Sequence, residues 1–147
     1  MSLKDRLMDD LKASMKNGDK LRKNVITMVR AAIKQKEVDE RIELNDEAII
    51  DVISKQVKQK KDAIEDFHRG QRQDLVELTE KEISILLNYL PQQLTESELE
   101  KIVKEAIEEV GANSVKDIGK IMSNVMPKVK GRADGSMVNN IVRQYFK

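Results

Sequence analysis

The segment Leu90-Pro91-Gln92-Gln93-Leu94-Thr95-Glu96-Ser97-Glu98-Leu99 decides how the chain is organised, because one helix must end at its start. Pro91 has no backbone donor, and its ring disfavours helical geometry at the residue that precedes it. Two glutamines follow the proline and offer no apolar side chain for burial. We therefore expect a hinge at Pro91-Gln92-Gln93.

A new helix is expected to begin directly after this hinge. Thr95 and Glu98 have the spacing of a capping box, in which each side chain bonds the other residue's backbone N–H. The break and the restart together predict two domains. We expect an N-terminal helical domain over residues 1–90 and a C-terminal domain over residues 94–147.

The N-terminal domain is predicted to consist of long helices, because apolar residues recur every three or four positions through most of it. Gly18 and Gly70 are expected to end the first and third helices, and Asn45 is expected to cap the third. The last segment can be read as one helix or as two, and a second capping-box spacing, Thr79-x-x-Glu82, favours a restart. The predicted helices cover residues 2–16, 19–40, 46–70 and 71–90.

The C-terminal domain is predicted to be a small three-helix bundle. Its first helix ends at Gly111, and Ser114 caps a shorter second helix that Pro127 stops. A loop over residues 128–135 then leads into the last helix, with Asp134 as its N-cap. The fold class is therefore all-α, an N-terminal long-helix domain followed by a small C-terminal bundle. The composition agrees, with 3% aromatic residues, six glycines and two prolines.

Composition also excludes several classes of function. The chain has no cysteine and a single histidine, His68, so disulfides, thiol catalysis and His-rich metal sites are excluded. It carries no phosphate-binding loop, dinucleotide fingerprint or acidic metal loop. We therefore predict no catalytic residues, no metal and no cofactor. No apolar run is long enough for a membrane span or a signal core, which predicts a cytoplasmic protein without membrane contact.

Charge is unevenly distributed, although 27 basic and 26 acidic side chains nearly cancel overall. Residues 96–109 contain six acidic and two basic side chains, whereas residues 116–147 contain seven basic and two acidic ones. The loop over residues 128–135 contains glycines and leads into a helix. Free backbone N–H groups in such a loop are a suitable place to hold a phosphate. The glycines could equally shape a helix connection while the lysines are merely solvated. Spacing alone leaves both readings open.

Three motifs, taken in order, resemble a known family. They are Asn88-Tyr89-Leu90-Pro91-Gln92-Gln93-Leu94-Thr95-Glu96-Ser97-Glu98-Leu99, Val115-Lys116-Asp117-Ile118-Gly119-Lys120-Ile121-Met122 and Val129-Lys130-Gly131-Arg132-Ala133-Asp134-Gly135. Together they resemble the YqeY-like family, which is related to the tail of the B subunit of the tRNA-dependent amidotransferase. That enzyme converts Glu-tRNA(Gln) to Gln-tRNA(Gln) with ammonia from glutamine.

The resemblance implies a helical N-terminal domain, a small C-terminal domain and contact with tRNA. Carried over residue by residue, it implies RNA binding by Lys120, Lys128, Lys130, Gly131 and Arg132. Nothing in this chain corresponds to the catalytic body of the amidotransferase subunit, which binds ATP and metal. The resemblance therefore implies membership of a pathway and no active site.

Three functions follow as hypotheses. The first is an accessory module that binds tRNA or another structured RNA and serves tRNA-dependent amidation. The second is a protein-interaction module that acts through the long N-terminal helices, with a partner in tRNA aminoacylation or amidation. The third is amide transfer, a carbon–nitrogen ligase activity inherited from the amidotransferase relationship.

Overall fold

The computed structural model describes all residues from Met1 to Lys147 and contains seven α-helices, one 3-10 turn and no strand. Helix accounts for 79% of the chain, so the prediction of an all-α protein is confirmed. The chain folds as two compact units, Met1–Leu90 and Pro91–Lys147. No helix combines the length and the apolar character that a membrane crossing requires.

The first unit has four helices around one apolar core. They are α1 (Leu3–Asn17), α2 (Lys20–Glu40), α3 (Asp46–Arg69) and α4 (Gln73–Leu87). The most extensive packing is between α3 and α4 and between α1 and α2. Leu7, Ile26, Ile53 and Leu86 are fully covered members of this core. Each helix presents one apolar face, so burying all four faces together stabilises helices that would be marginal alone.

The ends of these helices follow the predicted capping residues. Gly18 adopts the left-handed conformation, with φ of 69°, and ends α1. Asn45 caps α3, because its side chain accepts a hydrogen bond from the Ala48 N–H at 2.9 Å. Gly70 lies at the C-cap of α3. These three predictions are confirmed.

The predicted restart at Thr79 is wrong, because α4 runs through it without a break. Thr79 is buried, and its hydroxyl donates to the Leu75 carbonyl one turn earlier, a bond that helix interiors allow. Val76 and Ile83 are buried on either side of it. Their burial continues across the supposed break, so packing keeps the segment helical despite the capping-box spacing.

The second unit contains α5 (Glu96–Val110), a 3-10 turn (Val115–Asp117), α6 (Ile118–Val129) and α7 (Gly135–Tyr145). The predicted capping box is confirmed at the start of α5. Thr95 Oγ1 accepts the Glu98 N–H, and the Glu98 carboxylate accepts the Thr95 N–H, each at 3.1 Å. The bond from the Thr95 N–H lowers the pKa of Glu98. The core includes Leu99, Val125 and Val142, which have no exposed surface.

The prediction that Pro127 stops the second helix of this unit is wrong, because α6 continues to Val129. Ile121, Val125 and Val129 recur every four residues and are all fully buried. Burial of Val129 therefore holds the last turn helical, and it offsets the missing donor and the ring crowding that a proline brings to a helix. As a consequence, Lys128 lies on a helix and the turn that follows covers residues 130–134.

Candidate nucleic-acid interface

The five residues expected to bind RNA lie on α6 and in the turn that follows it. Lys120 and Lys128 belong to the helix, and Lys130, Gly131 and Arg132 open the turn. The three lysines are exposed, whereas Gly131 and Arg132 are half-buried. The cationic groups of the candidate site thus come from two consecutive pieces of the second unit.

Lys120 and Lys128 lie on the same side of α6. Eight residues separate them, which corresponds to about 12 Å along the axis and about 80° around it. Asn124 lies midway between them. The spacing of four residues from Lys120 to Asn124 and again to Lys128 produces a polar strip beside the buried face of the helix.

Lys128 is engaged with an acidic residue of α5. Its Nζ lies 3.2 Å from a Glu109 carboxylate oxygen and 2.9 Å from Asn124 Oδ1. Asn124 Nδ2 also donates to Glu109 at 2.9 Å. The bonds from Asn124 and Lys128 lower the pKa of Glu109. The pair is exposed, with Lys128 at 47% and Glu109 at 60%, so little energy opposes its separation.

Two backbone N–H groups of the turn at Gly131 already have partners within the protein. Gly131 has a φ of 76°, a conformation that favours glycine. The N–H groups of Arg132 and Ala133 both donate to the Val129 carbonyl, at 2.8 and 3.1 Å. These two N–H groups are therefore not available to a phosphate, because the turn uses them to end α6.

The hinge segment is bound to this turn. The Leu94 N–H donates to the Arg132 carbonyl at 3.0 Å, and Gln93 Nε2 donates to the Gly131 carbonyl at 2.7 Å. In return, Arg132 Nε donates to the Gln92 carbonyl at 3.0 Å. We call these three hydrogen bonds the 92–132 clamp. The clamp fixes the guanidinium of Arg132 and makes Gln92, Gln93 and Leu94 part of the second unit.

Asp134 has a structural role at the start of α7. It caps this helix, because its carboxylate accepts the Met137 N–H at 3.0 Å, as predicted. This contact accounts for Asp134 without any ligand.

Nowhere in the chain do three potential metal ligands among histidine, aspartate and glutamate come together. The lysines and the arginine of the site offer positive charge and hydrogen-bond donors.

Sequence reasoning missed four residues that shape the site. Asn124 could have been found, since it lies four residues from both Lys120 and Lys128. Glu109 lies on another helix, so no spacing rule relates it to Lys128. Gln92 and Gln93 were interpreted as a polar hinge, because their partners lie 40 and 38 residues further along the chain.

Proteins similar to this chain occur in fungi. A relative from Lachancea thermotolerans, named altered inheritance of mitochondria protein 41, is 37% identical over 147 residues, covering 95% of this chain and 79% of the relative. The protein of the same name from Pyrenophora tritici-repentis is 33% identical over 144 residues, covering 95% and 78%. That from Kluyveromyces lactis is 44% identical over 84 residues, covering 56% and 45%.

These relatives contradict the predicted cytoplasmic location, because each of them is named as a mitochondrial protein. The prediction rested on the lack of a membrane span and of an apolar signal core. An apolar core marks secretion, whereas mitochondrial transit peptides are amphipathic and rich in arginine. The features that were used therefore do not distinguish the cytoplasm from the mitochondrion.

The family comparison covers nearly the entire chain. The family described as Yqey-like protein matches residues 4–146, which include both units and every helix except the first residue of α1. The match agrees with the three motifs that carried the resemblance in the sequence. The chain belongs to the YqeY-like family.

Proposed function

We propose that the second unit binds the phosphate backbone of structured RNA, with tRNA as the expected class, and that it performs no chemistry of its own. The observation that carries the proposal is the grouping of Lys120, Lys128, Lys130 and Arg132 on α6 and the turn that ends it. Phosphate contacts from lysine and arginine supply most of the affinity for nucleic acids without reading sequence. This chemistry fits an accessory module.

The charge distribution of the second unit supports this direction of binding. The acidic side chains concentrate on α5, while the basic ones follow from residue 116 onward. A polyanion is repelled by the acidic side chains of α5 and attracted by the basic side chains that follow, and this difference orients its approach. The exposed pair of Lys128 with Glu109 is a weak obstacle, because a phosphate can replace the carboxylate at small cost.

Arg132 contributes a different kind of contact. Its Nε is held by the Gln92 carbonyl, but a guanidinium has five N–H donors in a planar fork. A fixed guanidinium loses less entropy when it binds a phosphate than a flexible side chain does. We propose that Arg132 is the positioned contact of the site and that the lysines act as mobile charges around it.

The link to tRNA-dependent amidation is part of the proposal and rests on the relationship to the amidotransferase tail. The basic site could deliver or retain a tRNA for an enzyme that carries the catalytic body. Amide transfer by this chain is not proposed, since the chemistry described for the site comprises electrostatic and hydrogen-bonding contacts alone.

The test is tRNA affinity as a function of salt concentration, measured by fluorescence anisotropy on the full chain. Lys120→Ala/Lys128→Ala removes two phosphate contacts and leaves the 92–132 clamp intact. We expect the slope of log K against log salt to become shallower by about 1.8 and the affinity to fall about tenfold at 0.15 M salt. The loss should be equal for different tRNA sequences.

The matched control is Lys101→Ala/Lys104→Ala, which removes the same charge from α5 of the same unit. This variant should change the slope of log K against log salt by less than half of the contribution that one phosphate contact makes. Circular dichroism should show unchanged helix content for both variants, because all four lysines are exposed. Equal slopes for the wild type and the α6 variant would contradict the proposal and leave these lysines as solvated side chains.

A further inference from the structure

A groove of about 660 Å³ lies between α1 and α2 in the first unit. Its floor consists of the apolar side chains Leu7, Met8, Ala31 and Ile33. Leu7 and Ile33 belong to the core beneath, whereas Ala31 is exposed. Because the alanine at this position has only a methyl group, the surface between the helices stays concave and is not filled by a side-chain ridge.

The groove extends along about three turns of α2, so it can seat a short stretch of another helix. Its lining covers residues 4–8 of α1 and 27–37 of α2, and the longer of these two stretches corresponds to about 15 Å of helix. Helices pack when the ridges of one enter the grooves of its neighbours, and amphipathic helices of partner proteins use apolar grooves in the same way. The pair α1 and α2 offers two sides of such a groove.

An apolar shoulder continues the groove along α2. Met28 and Val38 expose 63% and 64% of their surfaces. They lie three residues before and seven residues after Ala31, so the three residues share one side of the helix. Large apolar side chains that are mostly exposed and lie beside an apolar groove are typical of an interaction surface.

The rim of the groove is positively charged. Arg30 and Lys34 line it one turn apart, and neither has an ion-pair partner. Lys4 is paired with Glu37, which leaves Asp5 as the remaining acidic group on the rim. The charged side chains that line the groove therefore have a net charge of one positive unit.

The positive charge extends along α2 beyond the rim. The helix shows a run of residues spaced by three and four positions, all on one side: Lys20, Lys23, Thr27, Arg30 and Lys34. By contrast, Arg22 is paired with Asp19 and Lys36 with Glu40. Of the three cations that line the groove, Lys4 is paired with Glu37, whereas Arg30 and Lys34 are available to another molecule.

We propose that this groove is the docking site for an amphipathic helix of a partner protein whose apolar face is flanked by acidic residues. The apolar floor would bury the leucine-like face of that helix, and Arg30 and Lys34 would pair with its carboxylates. The proposal is independent of RNA binding by the second unit.

Two other occupants fit the surface less well. An RNA backbone gains nothing from the apolar floor, and it would meet the carboxylates of Asp5 and Glu37 on the rim. A second copy of the chain could offer α5 as an acidic helix, but the apolar residues of α5, such as Leu99 and Val103, are fully buried in their own unit. A partner helix of the stated chemistry buries its apolar face on the floor, and it can place its flanking carboxylates against Arg30 and Lys34 and away from Asp5.

The first experiment measures binding of three synthetic 18-residue peptides to the full chain by fluorescence anisotropy. The peptides share one leucine face at positions i, i+3, i+4 and i+7 and differ only in their flanks, which carry glutamate, glutamine or lysine. We expect the glutamate peptide to bind at least tenfold more tightly than the lysine peptide, since attraction is replaced by repulsion at Arg30 and Lys34. Amide chemical-shift changes should concentrate on α1 and α2.

The second experiment uses variants of the full chain. Ala31→Leu fills the groove and should weaken the glutamate peptide about tenfold, while leucine maintains the helix. Arg30→Glu/Lys34→Glu should remove the preference for glutamate over lysine flanks. The matched control, Lys55→Glu/Lys58→Glu, makes the same charge change on exposed positions of α3 and should alter binding less than twofold.

Several outcomes would overturn the proposal. Equal or absent binding of the three peptides excludes an acidic helix as the ligand, and shift changes away from α1 and α2 exclude the groove. Self-association in sedimentation that Ala31→Leu abolishes would assign the groove to a second copy. Loss of tRNA binding in Arg30→Glu/Lys34→Glu, without peptide binding by the wild type, would assign the rim to RNA.

Discussion

The two units reach a stable helical fold with cores of different size. The first has 90 residues, helices of 15 to 24 residues and a core spread over four helices. The second has 57 residues, helices of 11 to 15 residues and a smaller core. Both add polar contacts between distant segments, such as the bond from the Leu3 N–H to Asp46 in the first unit and the 92–132 clamp in the second. The surface that a chain buries grows faster than its length. The smaller unit therefore depends more on each core residue and on each polar contact.

The largest expected effect comes from making the same cavity in both cores. Leu86 and Leu99 are fully buried, the first in the N-terminal unit and the second in the C-terminal unit. Replacing either with alanine should cost about 3 kcal/mol of unfolding free energy. A 57-residue unit is expected to have only about 3–9 kcal/mol in total, so Leu99→Ala should leave its unit partly unfolded at 37 °C.

Thermal unfolding followed by circular dichroism, together with amide spectra of each variant, measures this difference. Leu86→Ala should leave the amide signals of both units dispersed. Leu99→Ala should collapse the signals of residues 91–147 and preserve those of the first unit. Identical loss of both units in the two variants would break the comparison, because the chain would then unfold as one cooperative block.

The sequence was most informative where a local rule and tertiary packing agree. The capping box at Thr95, the left-handed Gly18 and the N-cap residues Asn45 and Asp134 were all predicted, because each contact spans only a few residues. The all-α class follows from the same local periodicity. Each of these features is decided by neighbours along the chain, which a sequence displays directly.

The sequence misled where packing overrides a local signal. Pro127 is a helix breaker by its own chemistry, yet the buried Val129 carries α6 beyond it. The same conflict occurs at Thr79, whose capping-box spacing lies inside a continuous buried stripe. At the candidate site, the lysines were visible in the sequence. The 92–132 clamp and the Glu109 contact were not, since they join residues that no periodicity relates.

An intermediate effect is expected from breaking the clamp. Gln93→Ala removes the side-chain bond to the Gly131 carbonyl and should cost about 1 kcal/mol, because that carbonyl is left without its donor. In a unit of this size the melting temperature should fall by about 5 °C. Gln92→Ala is the matched control, since only the backbone carbonyl of Gln92 takes part in the clamp. It should melt within 1–2 °C of the wild type.

The tRNA affinity of the same two variants sharpens the argument about Arg132. If the clamp positions the guanidinium, Gln93→Ala should also weaken binding, while Gln92→Ala should not. Equal melting temperatures for the two variants would show that the bond from Gln93 to the Gly131 carbonyl contributes nothing to the stability of the second unit.

The smallest expected effect is a pH dependence of the second unit that comes from Glu98. Its pKa is lower in the folded chain than its ordinary value of 4.5, because the carboxylate accepts the Thr95 N–H. A carboxyl with a depressed folded pKa stabilises the fold above its unfolded pKa, and this contribution is lost as the pH falls through the folded pKa. The relevant window therefore lies below about pH 4.5.

Glu98→Gln isolates this contribution, because glutamine can serve in a capping box but does not titrate in this range. Urea midpoints of the second unit, measured between pH 7 and pH 3, should differ most between wild type and variant at neutral pH and converge under acid. Glu37 provides the comparison in the first unit, since its pKa is lowered mainly by its hydrogen bond from Lys4. The urea midpoints of the first unit in the wild type and in Glu37→Gln should likewise converge under acid. A difference for Glu98→Gln that stays constant with pH would mean that the charge of this carboxylate has no part in stabilising α5, and that the capping box acts through its hydrogen bonds alone.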